Sequence, residues 1–152
     1  MESDINQNTL TLEISGKPIA KARPRFARVK KKNGETASIA YNPQETEEGY
    51  FVTQAISQLH GRRFTGPVRV WVRCFFPRPK GHLSARGEVK ASAPKYHTVK
   101  PDFDNLLKFV LDCLNTIAVN DDSQFVGGGA EKEYAAPGEG GKTVVYLEAL
   151  EW

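Results

Sequence analysis

The run VRVWVRCFF, residues 68–76, places Val68, Val70, Val72 and Cys74 on one side and Arg69, Trp71 and Arg73 on the other. That period of two is the pattern of a half-buried strand. Gly66-Pro67 precedes the run, and Pro77, Pro79 and Gly81 follow it, so turn-forming residues bound it at both ends. Working upstream, Pro43 opens a helix predicted over 43–60, with Glu45, Glu47 and Glu48 at the positive end of its dipole. Tyr50, Phe51, Ala55, Ile56 and Leu59 recur along it at helical spacing. TLTLEIS (9–15) alternates as a further strand, ended by Gly16 and Pro18. Between these lies a basic segment containing Lys30-Lys31-Lys32-Asn33-Gly34, which reads as a long turn or flap, with a short extended piece at Ile39–Tyr41.

Downstream, residues 77–100 hold Pro77, Pro79, Gly81, Gly87 and Pro94 without periodicity and read as a long loop. Loops of this length in compact domains are as a rule functional or disordered. A helix over about 104–116, a turn at 118–123, a strand near 124–134 and a last strand at 142–150 complete the pattern. No internal repeat or domain boundary interrupts it. The expected class is α+β, one domain with a mixed β-sheet packed against two α-helices.

A chain of 152 residues is long enough to bury roughly 70% of its unfolded surface without staples. No stretch approaches 18 consecutive apolar residues, which excludes a helical membrane span. The start, MESDINQNTL, lacks the basic and apolar regions of a signal peptide, and a cytoplasmic location is expected. Cys74 and Cys113 sit in apolar runs and read as reduced core residues, while His60, His82 and His97 are scattered without zinc spacing. Secreted disulfide-rich and zinc-finger classes are thereby set aside.

The formal net charge is only +3, but it is segregated. Residues 17–32 carry eight basic residues and no acid, and residues 61–100 carry ten against Glu88 alone. Residues 101–124 reverse the sign, with Asp102, Asp104, Asp112, Asp121 and Asp122 against Lys108. Lysine and arginine displace counterions from a phosphate backbone, so the basic stretches point to a polyanion. Carboxylates among them repel nucleic acid unless a cation intervenes. The combination suggests a metal-dependent enzyme acting on phosphates.

KPDFDNLLKFVLDCLN (100–115) carries the chemistry. Pro101 keeps Lys100 extended, and Asp104 or Asn105 is the natural helix cap. Leu106, Leu107, Val110, Leu111 and Leu114 form an apolar stripe, and Asp104, Lys108 and Asp112 fall at i, i+4 and i+8 on the other side. Asp102 lies two residues earlier on extended chain, where its side chain shares a side with that of Asp104. Asp121-Asp122 follows a turn placed to return to the same helix start. Oxygen donors without His or Cys suit Mg²⁺ or Mn²⁺. Asp104 as a cap, Asp121-Asp122 as turn residues and Lys108–Asp112 as a surface pair are the structural alternatives.

KPDFDNLLKFVLDCLN followed by NDDSQF resembles the signature of the RusA family of Holliday junction resolvases. GKPIAKARPRF (16–26), YNPQET (41–46), GPVRVWVRCFFPRPK (66–80) and EKEYA (131–135) resemble the family's other segments in the same order, so the resemblance spans about residues 10–150. It implies a RusA-like domain over 1–152, acting as a Mg²⁺-dependent homodimeric endodeoxyribonuclease. Such an enzyme cuts four-way DNA junctions by paired symmetric nicks in recombination and repair, and is often carried by phages and prophages. The family's catalytic carboxylates map onto Asp102, Asp104 and Asp122, with Asp121 as the neighbouring acid, and its essential lysine onto Lys108. Lys17, Lys21, Arg23, Arg25 and Arg28 are expected to grip the DNA backbone, together with Arg69, Arg73, Arg78, Lys80 and Lys100. Gly127-Gly128-Gly129 departs from the family pattern and signals a bulge or a close backbone approach. Phe64, Trp71, Phe75, Phe76 and Tyr96 are candidates for stacking on unpaired bases, against a core or interface role.

The rival readings are a nuclease for other branched DNA, a catalytically silent nucleic-acid-binding protein, and a Ca²⁺-binding module. The last is disfavoured because no EF-hand loop is present.

Overall fold

Residues Val68–Phe76 form a strand whose Val68, Val70, Val72, Cys74 and Phe76 are all buried, so the period-two pattern translates directly into structure. The computed structural model describes residues 8–152, and the amino-terminal segment read as lacking a signal peptide lies largely outside them. The elements in chain order are β1 (Thr9–Ser15), β2 (Arg25–Lys30), β3 (Thr36–Tyr41), α1 (Glu45–Leu59), β4 (Val68–Phe76), α2 (Phe103–Leu114), β5 (Phe125–Tyr134) and β6 (Lys142–Ala149). Four strands form one sheet in the order β1-β6-β4-β5. β4 pairs antiparallel with β6 and parallel with β5, and parallel neighbours need a crossover, here supplied by α2. This is the expected α+β fold, a mixed sheet with two helices. No helix among the described residues is long and apolar enough to cross a membrane.

Both helices cover the face that carries the even-numbered residues of β4. Phe51 of α1 meets Phe109 of α2 edge to face at 5.8 Å, and both join one core with Leu12, Val72, Leu106, Val145 and Leu147. Gln54 and Gln58, one helical turn apart on α1, bond the backbone of Ser15 and Glu13 on β1. Two side-chain amides thus stand in for a missing neighbour strand at that sheet edge. Cys74 and Cys113 are buried and free, and burial pushes each thiol up to about 12.

Two regions are more ordered than the sequence suggests. The flap is a β2–β3 hairpin closed by Lys31–Glu35, because its basic residues hide a strand that needs no buried face. The 77–100 loop is strapped to the outer edge of β5, with the Tyr134 amide donating to Lys95 and the His97 amide to Lys132. Its anchoring runs through backbone groups and the stacking of His97 on Phe76 at 3.8 Å, neither of which produces a side-chain period.

The triple glycine follows a bulge and contains a close backbone approach. Pairing of β5 with β4 shifts register around Val126, and Gly128 then runs at φ +126° against Val70. A Cβ at Gly128 would stand 1.6 Å from the Val70 carbonyl oxygen, so only glycine fits.

Candidate active site

α2 begins at Phe103, one residue before the predicted start, and its cap lies two or three residues before the expected Asp104 or Asn105. Its cap is Asp102, extended at φ −73° and ψ 148°, and the Asp102 carbonyl accepts the first helical bond from Leu106. The Asp102 side chain makes no capping bond, so its carboxylate is not consumed by the helix. Asp104 lies inside the first turn, where the dipole favours negative charge.

The buried side of α2 is Leu106, Phe109, Val110, Cys113 and Leu114, rotated from the predicted stripe toward Phe51. Leu107 and Leu111 are left half-buried at the flank. Asp104, Lys108 and Asp112 project along the outer side and line a cavity of about 350 Å³, which Asp122 and Phe125 close from the start of β5. The i, i+4, i+8 row and the second acidic arm therefore face one space. Asp104, Lys108 and Asp122 enter no ion pair among the described residues.

Asp122 is delivered by a single 3₁₀ turn, Asp122–Gln124. Asp121 caps that turn by accepting from the Ser123 amide at 3.1 Å, and hydrogen bonding from the Ser123 side chain, then from this amide, holds the Asp121 carboxyl below its ordinary pKa. Asp121 thus has a structural role and does not line the cavity. Gln124 completes the turn: its oxygen accepts from the amides of Asn120 and Asp121, and its nitrogen donates to the carbonyls of Phe64 and Gly66. The D-x-x-Q spacing of a capping box is the sequence signal for this role, and it goes unread beside the acidic pair. Gln124→Ala is expected to cost about 1–3 kcal/mol, measured by urea unfolding, because part-buried carbonyls lose their donor.

The basic residues divide. Lys21 is 3.2 Å from both Glu48 and Asp112, and its backbone amide bonds Asn105 of α2. Burial pulls its pKa down, but hydrogen bonds and charge from Glu48 and Asp112 outweigh this and leave it raised. Lys21 is therefore a clamp between the helices, and Asp112 pairs with it rather than with Lys108. Arg69 and Arg73 fall on the sheet face opposite α2 and are compensated, Arg69 by Glu148 at 3.1 Å and Arg73 by Glu133 at 2.6 Å. Arg78 bonds the Pro94 carbonyl and lies over the Tyr134 ring. Lys17 lines a separate apolar cavity between α1 and α2. Arg23, Arg25, Arg28, Lys80 and Lys100 are exposed. Among the stacking candidates, Phe64 and Phe76 are core residues, whereas Trp71 and Tyr96 are exposed.

Among the described residues, no three Asp, Glu, His or Cys side chains are gathered into a ready-made metal cage. Mg²⁺ needs none. It keeps several waters and is bound through one or two carboxylates plus substrate phosphate. Asp104 and Asp122 line the cavity and offer two carboxylates for that mode, whereas Asp102, expected to converge with Asp104, is not among the lining residues and stands at the entry to α2.

A family model described as endodeoxyribonuclease RusA matches residues 15–145. A protein of Bacillus subtilis (strain 168), described as uncharacterized protein YqaN, is 32% identical over 125 residues, covering 80% of this chain and 85% of its own length.

Proposed function

From the chain's membership in the RusA family of endodeoxyribonucleases, we propose that it resolves four-way DNA junctions by paired symmetric nicks, as a homodimer, in the cytoplasm. The observation that carries this reading is the single cavity lined by Asp104, Lys108, Asp112 and Asp122. The 1–152 chain acts as one domain, and recombination and repair are the processes such an activity serves.

Asp102, Asp104 and Asp122 would hold Mg²⁺, with Mn²⁺ able to substitute. When bound, the cation polarises the scissile phosphate and lowers the pKa of a coordinated water. Lys108, facing the cavity and free of ion pairs among the described residues, stabilises the negative charge that grows on the phosphoryl oxygens. Asp121 and Gln124 hold the turn that presents Asp122. Lys21 neutralises Asp112, which reduces repulsion of the incoming phosphate. Arg23, Arg25 and Arg28, on and beside the exposed hairpin, contact backbone phosphates without reading bases, aided by Lys80 and Lys100. A two-fold dimer would set two such cavities against equivalent strands of a two-fold symmetric junction.

A substrate panel of four-way, three-way, flapped and linear DNA tests the reading. Nicks at symmetric positions of the four-way junction alone support it. Equal cutting of flaps establishes a broader branched-DNA nuclease, and binding without cutting of any substrate establishes a silent binding protein.

A further inference from the structure

We propose that Lys132 of β5 is a positioning residue for Asp102, an inference that rests on the reading of Asp102 as a metal ligand. The Lys132 Nζ donates to the carbonyls of Val99 and Pro101, each at 2.7 Å. These carbonyls flank Lys100, and the second belongs to the residue immediately before Asp102. The contact matters because little else holds this turn. Among the described residues, 98–101 make no backbone–backbone hydrogen bond, and the nearest anchors are the His97 amide on one side and the Asp102 carbonyl on the other.

The arrangement around β5 explains why a lysine does this. Its neighbours Glu131 and Glu133 point to the opposite sheet face, where both approach Arg73 at 3.8 and 2.6 Å. Lys132, in register with Cys74, points to the helix side and enters no ion pair among the described residues. Two of its three donors are thus directed at carbonyl oxygens rather than quenched by a carboxylate. A cation at this point fixes the turn and adds positive potential at the residue immediately before Asp102. β5 consequently aligns both arms: its beginning follows the turn carrying Asp122, and Lys132 sets the chain entering α2.

The test uses the full-length protein and Mn²⁺ alone, with free Mn²⁺ followed by electron paramagnetic resonance in Lys132→Met, Asp102→Asn and the double variant. Lys132→Met is expected to raise the Mn²⁺ half-saturation about 10- to 100-fold, as loss of a ligand-orienting contact does. Binding of four-way DNA in chelator should stay within about twofold of wild type, and the double variant should be no weaker for Mn²⁺ than Asp102→Asn. Amide exchange at Asp102–Asp104 should rise with it. An unchanged half-saturation in Lys132→Met beside a weakened Asp102→Asn overturns the proposal, as does full additivity. If Asp102→Asn itself binds Mn²⁺ normally, the ligand assignment fails first and the proposal falls with it. Lys132→Gln, which is too short to reach both carbonyls, guards against a Met variant that fails to fold. Unfolding of both would make Lys132 a requirement of the fold and also overturn the proposal.

Discussion

Asp104→Asn is expected to lower strand cleavage by at least about 1,000-fold, roughly 4 kcal/mol in the barrier, while leaving junction binding unchanged or tighter. The expectation follows from where the carboxylate sits. It lines the cavity with Lys108 and Asp122, and it enters no ion pair of the described fold. Asparagine preserves its shape, so the fold loses only the favourable placement of a charge in the first turn of α2, about 0.3–1 kcal/mol. Removing a negative charge that faces phosphate also removes repulsion, and binding in chelator should report this directly. Gel-shift and cleavage assays on one labelled junction separate the two effects. Cleavage within about tenfold of wild type would remove Asp104 from the chemistry.

Gly128→Ala carries the largest expected effect on stability. Its Cβ would stand 1.6 Å from the Val70 carbonyl oxygen at φ +126°, so β5 must part from β4 or the bulge must rebuild. A loss of about 3 kcal/mol or more is expected, a large share of the 5–15 kcal/mol that holds a typical domain. For a chain of this length that lowers Tm by roughly 6–12 °C. Gly127→Ala is the matched control: its Cβ meets nothing within 4 Å, and the expected cost is below about 1 kcal/mol. Equal melting of the two variants would mean the close approach at Gly128 does not hold.

The fold was legible where one physical requirement dominates. The alternation in β4 states a burial pattern that the structure keeps, and the apolar stripe of α2 is kept at Leu106, Val110 and Leu114. The rotation of α2 was less legible. Leu107 and Leu111 are about as apolar as Phe109 and Cys113, and which pair goes inward is set by tertiary packing such as the contact of Phe109 with Phe51. The acidic arms could be placed on one helix start because Asp104, Lys108 and Asp112 follow helical spacing. The roles of the charges around them could not. Lys21 looks like any phosphate-binding lysine until the fold brings Glu48 and Asp112 to it. Arg69 and Arg73 illustrate a different loss: the alternation already sets them on the face away from α2, but their number within a basic stretch outweighs that geometry in a reading by charge. Lys132 has no local signal at all, since its partners are carbonyls more than thirty residues away.

The most direct measurement of the central claim is cleavage of a strand-end-labelled four-way junction by the purified protein, in Mg²⁺ and in excess chelator. The account predicts paired nicks at symmetric positions in Mg²⁺, and in chelator an intact junction that remains bound. Bound junction that stays uncut in both conditions, or cutting that chelator does not stop, would contradict the assignment of the α2 cavity as a metal-dependent nuclease site.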